Sequence, residues 1–105
     1  MKQEDLALVF DKAIHEIHEL RTAGQKEYPG EGNDAFDNFD RIAKELQTTK
    51  EKVLWVYAMK HKDGIARYLN GHRSQRESVI GRISDLIVYL LILRGMIEEN
   101  NEDEL

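Results

Sequence analysis

Residues 77–97, ESVIGRISDLIVYLLILRGMI, are the stretch that decides the fold. At about 100° per residue, most of its apolar side chains fall on one broad face, a pattern typical of a long helix that packs on a core. Its polar side chains form a stripe on the other side: Ser78, Arg82, Asp85 and Tyr89. Ser74 and Glu77 have the spacing of a capping box, which predicts that this helix begins near residue 75.

Three more helices are expected before this one, and the four ranges are 3–22, 35–46, 50–69 and 75–98. Ala23-Gly24 predicts the end of the first helix, and Asn33-Asp34 offers an N-cap for the second. The segment 48–51 is a second capping box, and a short connection with Gly71 predicts that helices three and four are antiparallel. We therefore predict an all-α, four-helix bundle-like single domain at 1–98, followed by an acidic tail at 99–105.

Composition narrows the possible partners and compartment. The net charge of -5 disfavours attraction to nucleic-acid phosphate, so duplex DNA or RNA is not an expected partner. The absence of cysteine and of an apolar leader favours the cytoplasm, and the longest apolar run is too short to span a membrane. Helix three is apolar on more than one side, because Trp55 and Met59 fall away from its main face. This surplus predicts a homo-oligomer.

The histidines allow two interpretations. His15, His18 and Glu19 follow one another at helical spacing and could supply metal ligands, but the same spacing is typical of a solvated face with i,i+4 pairs. No metal is assigned there. We expect His61, which lies among apolar neighbours, to be a partly buried, hydrogen-bonded and structural imidazole.

Two polar stripes are candidates for a ligand site. Lys60, Asp63 and Arg67 share one side of helix three, and an antiparallel arrangement would bring them near Arg82, Asp85 and Tyr89. The arginines and the lysine suit a phosphate. The alternative is that both stripes are ordinary solvated faces with weak surface ion pairs.

The glycine-rich segment 24–34 offers a second candidate region. Lys26, Glu27 and Tyr28 precede Pro29 there. In a lid, Tyr28 would stack on a base and Lys26 would meet a phosphate; the alternative is a plain turn in which Tyr28 packs on the domain edge.

At these residues the chain resembles small helical proteins found widely in bacteriophages and prophages, and it is similar to the nucleotide-modification-associated helical family. That family's pattern runs roughly K-[DE]-Y-G, then K-x-x-R-[IL], then E-S with D-x-x-x-Y. The resemblance covers residues 24–97. It rests on Lys26-Glu27-Tyr28, on residues 36–43 (FDNFDRIA), on Lys60 with Ile65, and on Glu77, Ser78, Arg82, Asp85 and Tyr89. Three departures stand out: Pro29 separates Tyr28 from its glycine, Asp63 replaces the family arginine, and the basic residue comes at Arg67.

The resemblance implies a phage-type protein that binds or sequesters a phosphorylated nucleotide, for instance a nucleotide signal of host defence. Phosphate would lie on Lys60, Arg67 or Arg82, and a base on Tyr28 or Tyr89. If the chain is phage-encoded, it would act in the host cytoplasm.

Two alternatives remain open. The family is similar to the MazG-like all-α nucleotide pyrophosphohydrolases, which hold Mg²⁺ with E-x-x-E and E-x-x-D helices. Glu16 and Glu19 match the first motif in letters but fall away from the apolar face, and Lys60 stands where the second needs a carboxylate. We therefore expect no metal or cofactor; a hydrolase would gather Mg²⁺ on Glu27, Glu77 and Asp85. The other alternative is an oligomeric protein–protein interaction module, with a host protein as a possible partner.

Overall fold

The chain is an all-α protein with four helices, which confirms the predicted fold class. The computed structural model describes residues 1–27, 34–73 and 76–101, and only the backbone of residues 23–27. The helices are α1 (Gln3–Glu27), α2 (Asp37–Leu46), α3 (Lys50–Leu69) and α4 (Val79–Asn100). By backbone contacts the chain divides into two compact units, Met1–Glu31 and Gly32–Leu105, and each is described by itself.

The first unit contains α1, which is longer than predicted. Glu4 and Asp5 lie in its first turn, where negative charge complements the positive end of the helix dipole. The predicted stop at Gly24 is wrong, because the helix continues to Glu27. A glycine inside a helix costs only about 1 kcal/mol relative to alanine, so one glycine does not end a helix by itself.

In the second unit, α2 is short and leads directly into α3. Asp34 Oδ1 accepts a hydrogen bond from the backbone N–H of Phe36 at 2.8 Å, and the helix begins at Asp37. The chain leaves α2 through Gln47, which adopts the left-handed conformation with φ 55°. Thr49 then caps α3, its hydroxyl accepting from the N–H of Lys52 at 3.3 Å. The predicted range of helix three, 50–69, is confirmed.

α3 and α4 form an antiparallel pair, and α2 packs on α3. At one end of the pair, the Asn100 amide donates to Glu51 Oε1 at 2.9 Å, and at the other end the Arg82 side chain lies on Gly64. This arrangement confirms the predicted antiparallel pair. The buried apolar side chains of the described residues are Ala43, Val53, Leu54, Ala58 and Met96.

The start of α4 differs from the prediction. The helix begins at Val79, and Ser78 is its N-cap, with its hydroxyl accepting from the N–H of Gly81 at 3.0 Å. The capping box built on Glu77 is therefore wrong, and Glu77 lies before the helix, next to α3. At the other end α4 includes Asn100, so it continues into the range assigned to the acidic tail.

Apolar side chains also lie at the surface of the second unit. On α3, Trp55 is 48 % exposed, Val56 67 % and Met59 39 %, so the helix does present a second apolar side. None of the helices within the described ranges combines the length and the apolar character needed to cross a membrane.

Candidate anion-binding site

A cavity of about 840 Å³ lies between α3 and the start of α4. Three of its lining residues come from α3, three from the segment that joins the two helices, and one from the first turns of α4. In chain order they are Lys60, Gly64, Arg67, His72, Arg76, Glu77 and Arg82.

The α3 residues share one side of the helix because of their spacing. Lys60, Gly64 and Arg67 occupy positions i, i+4 and i+7, which lie on the same face of an α-helix. Arg82 falls in the first turns of α4 and reaches the same space because the two helices are antiparallel. The sequence spacing and the direction of the pair are therefore enough to build this wall of the cavity.

The cavity carries an excess of positive charge. Its side chains include one lysine and three arginines, against the single carboxylate of Glu77. The chain as a whole has a net charge of -5, so the cavity is a positively charged site on a negatively charged protein. Such a site attracts small anions, whereas the negative charge of the rest of the chain repels a long polyanion.

Arg82 is the most enclosed of these cations. Its side chain is only 14 % exposed, and a Cβ built at Gly64 would lie 2.5 Å from its Cδ, Nε and Cζ atoms. Gly64 thus provides the space in which the guanidinium lies. Arg82 Nη1 is 3.9 Å from Glu77 Oε2, and Arg82 Nε is buried with no hydrogen-bond partner among the described residues. The alternative of an ordinary solvated face therefore does not hold for Arg82, because glycine lets its side chain lie between the helices.

Beside the cavity, His61 faces two carboxylates. His61 Nδ1 lies 3.9 Å from Glu77 Oε2 and 3.9 Å from Asp85 Oδ2. The histidine is 8 % exposed, so it is buried as the sequence predicts. The expected hydrogen bond is not found at Nδ1, because that buried atom has no partner within the described ranges.

Aromatic rings continue from His61 along the contact between α3 and α4. The His61 ring stacks on Tyr89 with 5.6 Å between centroids, and Tyr89 stacks on Tyr57 at 6.1 Å. Tyr57 in turn meets the edge of Phe39 from α2 at 6.0 Å. Burial raises the pKa of Tyr89 above its ordinary value of 10.0, and the nearby Asp85, Tyr57 and Glu77 raise it further.

The structure brings together some of the predicted ligand residues. Lys60, Arg67 and Arg82 line one cavity, whereas Asp85 lies beside His61 and Tyr89 belongs to the row of rings. Asp63 is on another part of α3, where its carboxylate is 60 % exposed and lies 3.8 Å from the ammonium group of Lys62.

The predicted lid residues lie outside what the structure describes. Tyr28 is not among the described residues, and for Lys26 and Glu27 only the backbone of α1 is described. The roles proposed for these three residues therefore stay predictions.

Several residues of the site were not selected from the sequence. Gly64 has no functional group that would mark it as a site residue. His72 and Arg76 belong to the connection between α3 and α4, whose path could not be predicted from the sequence. Glu77 was assigned to a capping box and named as a ligand only for Mg²⁺ in the hydrolase alternative, and His61 was expected to be structural. A helical wheel gives the one usable signal, since Lys60, Gly64 and Arg67 form a line along α3.

Within α1, the acidic residues of the E-x-x-E motif are at the surface. Glu16 is 4.0 Å from the Lys12 ammonium group and 49 % exposed, and Glu19 is 3.7 Å from His15 and 71 % exposed. Both carboxylates therefore lie in ordinary i,i+4 pairs of a solvated face.

Comparisons with protein-family models, curated proteins and solved structures give no match to this chain.

Proposed function

We propose that this chain binds a small phosphorylated molecule in the cavity between α3 and α4, and that a nucleotide is the first ligand class to test. The observation that carries the proposal is the convergence of Lys60, Arg67, Arg76 and Arg82 on one cavity. The binding would be stoichiometric, so the chain would act by holding or sequestering its ligand.

The chemistry of the cavity favours phosphate over other anions. A guanidinium offers a planar fork of N–H donors that matches two phosphate oxygens, while a lysine adds a mobile point charge. Nε of Arg82 is buried without a hydrogen-bond partner among the described residues, so a phosphate would reach this donor only if the side chain shifts toward the cavity. Each hydrogen bond between a charged donor and phosphate contributes about 1.5–3 kcal/mol, so two or three of them contribute about 3–9 kcal/mol, which corresponds to dissociation constants from millimolar to micromolar.

The size of the cavity favours a ligand larger than a single phosphate ion. Cavities that hold drug-sized ligands or cofactors have volumes of about 300–1,000 Å³, and this cavity falls within that range. A nucleoside phosphate fits this size class. It also agrees with the resemblance to nucleotide-associated phage proteins, from which a role against a host nucleotide signal stays a prediction.

The exposed apolar side of α3 supports a second, compatible proposal. Trp55, Val56 and Met59 are all at the surface, and a second copy of the chain or a host protein would cover them. Light scattering at tens of micromolar protein would give a mass above that of one chain if the chain self-associates.

The direct test of the nucleotide proposal is calorimetric titration with nucleoside mono-, di- and triphosphates, pyrophosphate and inorganic phosphate. Each titration is run once with EDTA and once with Mg²⁺, with released pyrophosphate and phosphate measured in parallel. We expect binding in EDTA without turnover. Release of pyrophosphate from a nucleoside triphosphate that requires Mg²⁺ would instead support the MazG-like alternative.

Matched variants locate the binding. Lys60→Gln and Arg67→Gln remove exposed cations that line the cavity, and each should weaken affinity several-fold, with a tenfold or greater loss when both are combined. Lys62→Gln and Arg94→Gln remove exposed cations of α3 and α4 that do not line it, so they should leave affinity unchanged. Equal losses in both sets would show only general charge attraction, and no binding of any phosphate compound would refute the proposal.

A further inference from the structure

The group formed by His61, Glu77 and Asp85 carries a different kind of chemistry from the basic cavity. One ligand atom from each side chain, the histidine nitrogen and a carboxylate oxygen from each acid, lies within 4.8 Å of the other two. Among the described residues this is the one group of three or more metal-ligating side chains with such geometry. The three residues come from α3, from the segment before α4, and from α4.

An independent observation concerns the histidine nitrogen. Nδ1 of His61 is buried and lacks a hydrogen-bond partner among the described residues, although it is directed at both carboxylates. An unsatisfied polar atom in a buried position costs about 1–3 kcal/mol. At 3.9 Å the two oxygens are too far away to accept a hydrogen bond but close enough to share a cation with the nitrogen.

From this geometry we propose that His61, Glu77 and Asp85 bind one divalent transition-metal ion, Zn²⁺ in preference to Mg²⁺. Three protein ligands that leave a position open are typical of zinc sites that also bind a water or a substrate. Ligand atoms around tetrahedral zinc lie about 3.3 Å apart, because zinc–nitrogen and zinc–oxygen distances are about 2.0–2.1 Å. To close the site, the two nitrogen–oxygen distances of 3.9 Å would shorten by about 0.6 Å, and the two carboxylate oxygens, which lie within 4.8 Å of each other, would approach by up to about 1.5 Å.

The type of ligand decides between metals. Mg²⁺, Ca²⁺ and Mn²⁺ prefer oxygen ligands, whereas imidazole suits Zn²⁺, copper, iron and nickel. Arg82 Nη1 lies 3.9 Å from the Glu77 oxygen that faces His61, so it would orient that carboxylate from outside the metal ligands. Glu77 also lines the basic cavity, which places the metal at its edge. The metal proposal does not depend on the proposed nucleotide binding.

The test is titration of tag-free, EDTA-stripped full-length chain with Zn²⁺, Mn²⁺ and Mg²⁺ by calorimetry, with no nucleotide present. Co²⁺ serves as an optical probe, because its visible absorption reports a low-coordinate site with nitrogen and oxygen ligands. We expect one Zn²⁺ per chain with a dissociation constant of micromolar or lower, weaker Mn²⁺ binding, and no detectable Mg²⁺ binding in the same range.

Two variants test the assignment: His61→Gln and Asp85→Asn should each weaken Zn²⁺ affinity at least tenfold and abolish the cobalt spectrum. The Asp85 side chain is 42 % exposed, so Asp85→Asn should remain folded, which circular dichroism verifies. The control is the double variant His15→Gln, Glu19→Gln, which removes the exposed histidine–carboxylate pair of α1. This variant should still bind one Zn²⁺ with unchanged affinity.

Other outcomes overturn the proposal. Absence of Zn²⁺ binding would refute the metal site and leave the group as a packing contact between an imidazole and two carboxylates. Zn²⁺ binding that persists in Asp85→Asn and disappears in the α1 control would locate the metal on α1. The cavity variant Lys60→Gln, Arg67→Gln separates the two proposals, since it should lose phosphate affinity and keep zinc.

Discussion

Two histidine–carboxylate groups among the described residues differ in almost every physical respect. In α1, His15 Nε2 lies 3.7 Å from Glu19 Oε1, and the two side chains are 75 % and 71 % exposed. In the second unit, the His61 side chain is 10 % exposed, and its Nδ1 faces the carboxylates of Glu77 and Asp85, which are 48 % and 42 % exposed. The first group is obvious in the sequence, and the second is spread over three segments.

The difference shows that several metal-ligating residues close together in the sequence are a poor predictor of a metal site. Residues 15–19 (HEIHE) lie on a solvated part of α1, where water competes for every interaction. The ion pair between His15 and Glu19 therefore contributes little to stability. His61 meets its carboxylates only because α3 and α4 are antiparallel, and burial makes an unpaired nitrogen costly there. A candidate site therefore has to be judged by burial and convergence as well as by residue type.

The largest effect that would sharpen this comparison is on stability. His61→Ala should lower the free energy of unfolding by about 2 kcal/mol, because it leaves a cavity and removes the stacking contact with Tyr89. His15→Ala, at an exposed position, should change it by no more than about 0.5 kcal/mol. Urea denaturation of both variants measures the two values, and equal losses would remove the distinction between the groups.

A second experiment tests whether phosphate binding in the second unit depends on the space that Gly64 leaves for Arg82. Alanine there should push the Arg82 side chain out of place and lower the affinity for the best-binding phosphate compound at least tenfold. The gain in helix propensity, about 1 kcal/mol, should offset the strain and leave stability nearly unchanged. Gly95→Ala is the matched control, since its Cβ would meet only the Phe36 ring, at 3.4 Å. Unchanged phosphate affinity in Gly64→Ala would show that binding does not require the Arg82 side chain in its present position.

The smallest predicted effect is a slope of stability at alkaline pH. The folded chain holds the pKa of Tyr89 above 10.0, so between that value and the raised one the unfolded chain has lost a proton that the folded chain keeps. Stability should therefore fall as pH rises through this window. Tyr89→Phe should flatten that fall, as measured by urea midpoints from neutral to alkaline pH. An identical slope in the variant would contradict the prediction.

The fold was largely predictable because it depends on local signals. The bounds of α3 follow from its apolar spacing and from the threonines before it, and the antiparallel pair follows from the short connection at Gly71. The two clear errors, the end of α1 and the start of α4, both concern small energies. A glycine did not stop one helix, and Ser78 capped the other in place of Ser74.

The site was predictable only in part, and the reason is physical. Lys60, Arg67 and Arg82 could be selected because helical spacing places charges on a face. The burial of Arg82, the position of Glu77 and the unsatisfied nitrogen of His61 depend on distances between helices, which no single helix encodes. Predicting them requires knowing which residues allow close approach, and Gly64 is such a residue.

The contact between Gly64 and Arg82 also has a consequence for recognising relatives of this chain. A side chain at position 64 and a long side chain at position 82 compete for the same volume, since even a methyl group would lie 2.5 Å from the arginine. Sequences that share this packing should therefore covary at these two positions, with glycine accompanying arginine and larger residues accompanying shorter ones. This pair supplies a two-position signature that is independent of the polar residues and can be searched for in any set of short helical sequences.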